Sequence, residues 1–389
     1  MATTSMSAFL QFDSLVRERS ISSPAMRLNL AAKQDYALSA FMSNRPMGQV
    51  LRTGKYMVEK VKVSVGGNFG KFVPGSVHTS SRVNTTQTLS WAPAMYRNSI
   101  PMTEAELIFS EGSDEATVFK NFRKSLEQDL TVAHWEGLEN LLFSRPNSAG
   151  METISSQNND CYSVLAYITE NDSATASELY KPPVSVWTAS TIAQLSPVTY
   201  DVWRNAKKTY DSAQPSHPTL GLFSAFGRVT SAINFTPPQG AKLGENYTAG
   251  TKPGIEKLMI WTNEDGENMY ADLCRAGQDQ FRGGTNPSDP SYPNINWRGK
   301  AIRKSTALRD NLLEESAGSY TGNAYPAGKA RFFFINANHL FLAFHAKKVM
   351  DVYDKDGASR QPDTTVRFME SYVQLLCNAR NRQGIVYPA

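Results

Sequence analysis

The stretch from Arg331 to Tyr387 constrains the fold of this chain more than any other. It opens with an aromatic strand candidate, Arg331-Phe332-Phe333-Phe334-Ile335-Asn336, followed by Leu340-Phe341-Leu342-Ala343-Phe344-His345. A polar turn separates these from Tyr372-Val373-Gln374-Leu375-Leu376-Cys377 and the ending Asn378-Ala379-Arg380-Asn381-Arg382-Gln383-Gly384-Ile385-Val386-Tyr387. Short apolar runs bounded by polar residues read as strands, so the chain closes on strand structure.

Upstream, residues 1 to about 58 are rich in Ser, Ala, Met and Arg with scattered apolar positions, which suits an arm that packs on something else. From Val58 a period-2 pattern predicts a half-exposed strand, broken by Gly66-Gly67-Asn68-Phe69-Gly70. A second extended stretch, Ser81 to Trp91, completes a long two-stranded excursion with little to bury on either face. Such a ribbon is marginal alone in water and needs a neighbour. A short strand is expected over residues 102 to 110.

The clearest helix follows. Ser113 is a good N-cap, Asp114 and Glu115 place negative charge in the first turn, and Val118, Phe122, Leu126, Leu130, Ala133, Leu138 and Leu141 mark an apolar stripe. Ser144-Arg145-Pro146 stops it. Some thirty residues give a rod of roughly 45 Å. Beyond it, Ser196-Pro197 predicts a helix over Val198 to Tyr210, Pro215 to Gly254 predicts loops and short strands, Lys257 to Thr262 a strand, and residues 267 to 280 a helix. Strands and helices without regular alternation argue α+β.

Composition narrows the function. At 389 residues with 41% hydrophobic and 20% charged, the chain is long enough for a large core and folds as an ordinary protein. A net charge of +4 gives no domain-wide basic field, so any contact with nucleic acid is local and weak. The three cysteines, Cys161, Cys274 and Cys377, form no CxxC pair and read as reduced thiols. With no secretory pattern at the start and no run of about eighteen apolar residues, a soluble protein that stays where it is made is expected.

Motifs that would carry chemistry fail on inspection. Gly66-Gly67-Asn68-Phe69-Gly70-Lys71 looks like a phosphate loop, yet Val65 stands where the first glycine belongs and Phe72 where Ser or Thr would bind magnesium. Asp354-Lys355-Asp356-Gly357 has Val352 at the first calcium-ligand position and Asp363 in place of the bidentate Glu. The five histidines form no HxH or HExxH, and Ser224 has no nucleophile-elbow spacing. No catalytic, cofactor-binding or metal-binding residue is assigned, and no enzyme is expected.

Arm, ribbon, long helix, mixed middle and aromatic closing strands, in that order, resemble the tailed-phage major capsid proteins of the Hong Kong 97 (HK-97) fold. The most specific parts are Leu195-Ser196-Pro197 with Trp203 and Ala206, the strand Phe333-Phe334-Ile335-Asn336, and Cys377 through Gly384. The resemblance implies an N-terminal arm (1–58), an extended E-loop (59–91), a peripheral domain with the spine helix (92–150), an axial domain (151–330) and closing strands that return to the peripheral domain (331–389). It implies a shell of hexamers and pentamers around double-stranded DNA, assembled in the host cytoplasm without covalent cross-links. A separate scaffolding protein, a portal and decoration or cement proteins would be partners; no membrane would be. Arg17, Arg19 and Arg27 become candidates for facing DNA, and Lys62, Phe69, Lys71, Asp354, Asp356, Arg380 and Arg382 for subunit contacts, with internal anchoring the alternative for the last two. An encapsulin-like compartment shell is the competing reading within the fold; a hydrolase with an unrecognised site is the reading outside it.

Overall fold

A computed structural model describes residues 37–38, 41, 57–64, 85–103, 116–143, 161–169, 192–193, 195–197, 199–233, 258–276, 295–298, 300–308, 330–345, 347–356 and 364–389. In chain order these contain strands β1 (Met57–Lys62), β2 (Thr86–Trp91) and β3 (Ala94–Thr103), then helices α1 (Ala116–Phe143) and α2 (Val164–Tyr167). Next come β4 (Ala206–Tyr210), α3 (Leu222–Ile233), β5 (Leu258–Thr262), α4 (Glu264–Ala276), β6 (Ile295–Trp297) and β7 (Lys300–Lys304). The last are β8 (Phe332–Asn336), β9 (Leu340–Phe344), β10 (Asp351–Asp356), β11 (Thr364–Cys377) and β12 (Gly384–Pro388). The architecture is α+β, and no helix among the described residues is long and apolar enough to cross a membrane. The chain divides into two compact units, one built from 1–34, 96–138 and 348–371, the other from 35–95, 139–347 and 372–389.

The larger unit is organised by a six-stranded sheet of order β4-β12-β8-β5-β7-β6. All five residues of β8 are buried, which its unbroken apolar run requires of a strand covered on both faces. Phe332 and Phe334 point to one face, where α3 and α4 cover them; Phe333 and Ile335 point to the other. Phe226 of α3 stands edge-on to Phe332 (4.8 Å between centroids), Phe334 (5.0 Å) and Trp297 (5.4 Å), and stacks on Tyr270 of α4 at 5.7 Å. These offsets put ring edges against ring faces, the arrangement the aromatic quadrupole favours. The polar tips are satisfied: Tyr210 Oη donates to the Ala330 carbonyl (2.9 Å), Tyr270 Oη to the Asn296 carbonyl (3.0 Å), and Trp297 Nε1 to Thr230 Oγ1 (3.2 Å). Burial pushes the Tyr210 phenol up to about 12, so it remains a donor at any physiological pH.

Three expectations are corrected in this unit. The expected helix over 198–210 is not found in its described residues, 199–210: a single 3-10 turn, Asp201–Trp203, leads into β4, which pairs in parallel with β12 from Gly384↔Ala206 to Pro388↔Tyr210. The apolar spacing of Val202, Ala206 and Tyr210 is accidental, since Val202 is exposed, and long-range pairing overrides local propensity. Conversely, α3 occupies part of a region expected to hold loops and short strands. Its buried residues Leu222, Ala225, Phe226, Val229 and Ile233 keep helical spacing. Gly221 allows the tight entry: a Cβ there would lie 2.3 Å from the His217 carbonyl oxygen and 2.4 Å from that of Pro215. Third, the β1–β2 ribbon does bury one face. Met57, Val63, Leu89 and Trp91 are buried, and Trp91 Nε1 donates to Tyr167 Oη at 2.8 Å. The opposite face, with Val58, Lys60, Lys62, Thr86 and Thr88, is exposed.

In the smaller unit β10, β11 and β3 form a sheet in that order. The segment from Asp351, expected to be a turn, is instead a strand in register with β11, Asp351↔Glu370 through Asp356↔Thr365. Helix α1 spans Ala116–Phe143, about 42 Å, within its expected range, and its expected first residues, Ser113 to Glu115, lie outside the described residues. Leu130 and Leu138 of the expected stripe are buried, and His134 takes the buried position between them while Ala133 faces out. The expected strand over 102 to 110 falls mostly outside the described residues; β3 covers its first two positions.

Candidate assembly surfaces and the closing segment

The closing segment is where sequence signals concentrate, and its polar side chains turn inward. Arg380, in the 3-10 turn Arg380–Arg382, is fully buried. Its Nε donates to the Tyr167 carbonyl, Nη1 to the Trp203 carbonyl at 3.0 Å, and Nη2 to Thr169 Oγ1 at 2.8 Å and Asn205 Oδ1 at 3.1 Å. Asn205 in turn donates from Nδ2 to the Thr169 carbonyl at 2.9 Å. One guanidinium fork thus joins the end of α2, the 3-10 turn before β4 and the approach to β12. Arg380 has no exposed surface on the protomer, and its donors turn to the interior.

Its neighbours behave alike. Gln383 is fully buried; its Oε1 accepts from the Asn336 amide (2.8 Å) and its Nε2 donates to the Asn336 carbonyl (3.2 Å). A side-chain amide here extends the β12–β8 ladder by one backbone-like pair. Asn378 Oδ1 meets His339 Nδ1 at 2.8 Å, while its Nδ2 donates to Glu59 Oε1 of β1 at 3.3 Å. Gly384 opens β12 beneath α3, where a Cβ would come within 2.5 Å of Val229 Cγ1. Cys377 is buried, which pushes its thiol up to about 12 and removes it as a nucleophile.

The surface candidates divide. Lys62 is exposed on the outer face of the ribbon, two positions from Lys60 and opposite Thr86. Arg382 is half-buried, with Nη1 3.5 Å from the Ile233 carbonyl. Asp354 is exposed on β10 but lies 3.6 Å from Arg367 Nε; Arg367 Nη1 also reaches Glu127 of α1 at 2.9 Å. Asp356 ends β10 opposite Thr365. Both aspartates stand on a strand and not in a calcium-type loop. Arg17, Arg19, Arg27, Phe69 and Lys71 lie outside the described residues.

Two polar clusters in the smaller unit have no sequence signature. Glu370, buried, receives Arg97 and Lys348 (3.1 Å) as ion pairs and a hydrogen bond from Tyr353 Oη at 2.6 Å. Burial alone would raise its carboxyl; the bonds from Tyr353, Lys348 and Arg97 outweigh it and hold the group at about 2. The folded value lies below the ordinary 4.5, so this carboxylate stabilises the unit fully above pH 4.5 and that contribution disappears as pH falls from about 4.5 to about 2. In acid titration followed by circular dichroism, E370Q is expected to flatten the wild-type stability loss across this window. An identical acid profile would rule Glu370 out as its source. The second cluster pairs His134 Nε2 with Ser371 Oγ at 2.7 Å, and burial lowers the imidazole from its ordinary value. Ser371 is fully buried and also accepts from the Met350 amide at 3.3 Å, so its hydroxyl is a structural node closed to substrate.

No family model matches the sequence, and no curated protein matches it. Solved structures do. A chain in the capsid asymmetric unit of cyanophage A-1(L) superposes with a TM-score of 0.53 over 91% of this chain and 94% of that one, at 13% identity. This is a phage-capsid fold. A chain from mycobacterium phage Bobi aligns over 91% of this chain and 92% of its own, with 10% identity and a TM-score of 0.48. The capsid of a native GTA particle gives 8% identity, 90% coverage of both chains and a TM-score of 0.46.

Proposed function

We propose that the protein is a major capsid protein of a tailed phage, with the HK-97 arrangement of N-terminal arm (1–58), E-loop (59–91), peripheral domain (92–150), axial domain (151–330) and closing strands (331–389). The observation that carries this reading is the superposition on the cyanophage A-1(L) capsid chain over nearly the full length of both. In this reading copies of the chain build hexamers and pentamers, and the shell encloses double-stranded DNA. A separate scaffolding protein, a portal and decoration or cement proteins complete the virion, which assembles in the host cytoplasm. The work done is mechanical and not catalytic: large shared interfaces, about 2,000 Å² or more for obligate contacts, make subunit stability and shell stability one quantity.

The ribbon supports this role. Its inner face is anchored through Trp91 and Tyr167, while its outer face offers Val58, 62% exposed, between solvated lysines and threonines. Lys62, Phe69, Lys71, Asp354, Asp356 and Arg382 are the proposed subunit contacts; Arg17, Arg19 and Arg27 are proposed to touch phosphate non-specifically.

Electron microscopy of the purified protein, with and without a co-expressed scaffold, tests the proposal. Closed shells or capsomers are expected, and a monomer that never associates would overturn it. Nuclease-protected DNA in shells from infected cells separates a phage capsid from a compartment loaded with an enzyme. R382E is expected to reduce shell yield several-fold while leaving the urea midpoint of the protomer within about 0.5 kcal/mol of wild type, as for a surface substitution. Normal shells from R382E would remove that residue from the interface.

A further inference from the structure

Glu139 lies in the last turns of α1 and is 2% exposed. Its two carboxylate oxygens accept from consecutive amides far back in the chain: Oε1 from Ala37 at 3.0 Å and Oε2 from Leu38 at 2.8 Å. Ser305, just beyond β7, donates its hydroxyl to the same Oε1 at 2.9 Å. Residues 37, 38 and 41 are helical, and Ala37, Leu38 and Phe41 are all buried. The carboxylate therefore does for this helical turn what a capping residue does for its own helix, but from about a hundred positions away. Negative charge on exposed helical amides is favourable through both hydrogen bonding and the aligned peptide dipoles.

The Ser305 bond fixes the carboxylate from its other side. Ser305 is buried, donates its own amide to the Thr262 carbonyl (3.1 Å) at the end of β5, and accepts from the Ala307 amide (3.3 Å). Glu139 is thus held against the rim of the six-stranded sheet, and the segment carrying Ala37 is held against Glu139. Each bond is charge-assisted and shielded from water, so losing the carboxylate leaves two buried amides and a hydroxyl without an acceptor.

We propose that Glu139 is the latch that roots the N-terminal segment on the protomer, and that this latch opens as a local unit, separately from the sheet. Rooted at Ala37, the chain before it has a fixed point of departure. Glu139 is a positioning residue in this account. The latch belongs to one protomer and stands or falls independently of the capsid reading.

Hydrogen exchange of the full chain, followed by mass spectrometry on a peptide spanning residues 37–41, tests it. E139A is expected to speed exchange of the Ala37 and Leu38 amides by about ten- to a hundredfold, while amides of β8 and β12 keep their wild-type protection. E139Q, which keeps one accepting oxygen, should give a smaller rise, and S305A, which leaves both amides capped, a smaller one still. Unchanged protection at 37–38 in E139A would overturn the latch. So would a loss that runs through β8 and β12 in E139A or E139Q, because Glu139 would then belong to the global core.

Discussion

Removal of Gly384–Ala389 is expected to abolish cooperative folding of the larger unit. These residues include β12, which sits second in the six-stranded sheet and joins β4 to β8. Ile385 and Val386 are fully buried within it, worth about 3–6 kcal/mol together in apolar burial. The deletion also strands one edge of β4 and one of β8, both of which would expose unpaired backbone groups. Against a typical net stability of about 5–15 kcal/mol, that loss together with two newly unpaired strand edges removes most of the margin that holds the sheet. Deleting Ala389 alone removes a single backbone bond to the Tyr210 carbonyl and should be nearly silent. Urea unfolding of both variants by tryptophan fluorescence separates the cases, and a cooperative transition at the wild-type midpoint in the longer deletion would refute the account.

Truncation of Arg380 to alanine is expected to destabilise the same unit by about 3–5 kcal/mol, the range seen when a buried charged network loses one member. Among the described residues the guanidinium reaches four acceptors on two segments, 167–169 and 203–205, and alanine leaves the Tyr167 and Trp203 carbonyls without this donor in a place closed to water. R380K should recover little, because one ammonium cannot span the geometry that a planar fork satisfies. The readout is the urea midpoint at constant m-value. A change below about 1 kcal/mol would mean the network is not maintained. A variant that folds normally yet forms no shells would return Arg380 to the subunit interface.

How much of this was visible in the sequence depended on the range over which each element is determined. Helix α1, helix α4 and strands β5, β8 and β9 were legible because their apolar pattern is local and their neighbours along the chain merely bound it. Strand β4 was not, because Ala-Lys-Lys-Thr-Tyr becomes a strand only when β12 arrives from the far end of the chain. Helix α3 was obscured by the glycines and prolines around it, although Leu222, Ala225, Phe226, Val229 and Ile233 keep helical spacing. In the closing segment Arg380 is legible only as a candidate for subunit contact or internal anchoring, and Gln383 and Asn378 only as members of a polar run, because their partners Tyr167, Asn336 and Glu59 lie far away in the chain. Glu139 and Glu370 carried no signal at all, being two ordinary acids among 36.

The place of β12 also sets an order of events during synthesis. β4 and β8 leave the ribosome well before residues 384–388, and the strand that must lie between them comes afterwards. Until it does, the two strands wait on opposite sides of an open slot, and the long-range parallel pairing that closes it is intrinsically slow. A nascent chain therefore cannot complete this sheet, and cannot present the surfaces that depend on it, until residues 384–388 have been made. Of the six strands of this sheet, which run from residue 206 to residue 388, the one that joins its two parts is the last to be made.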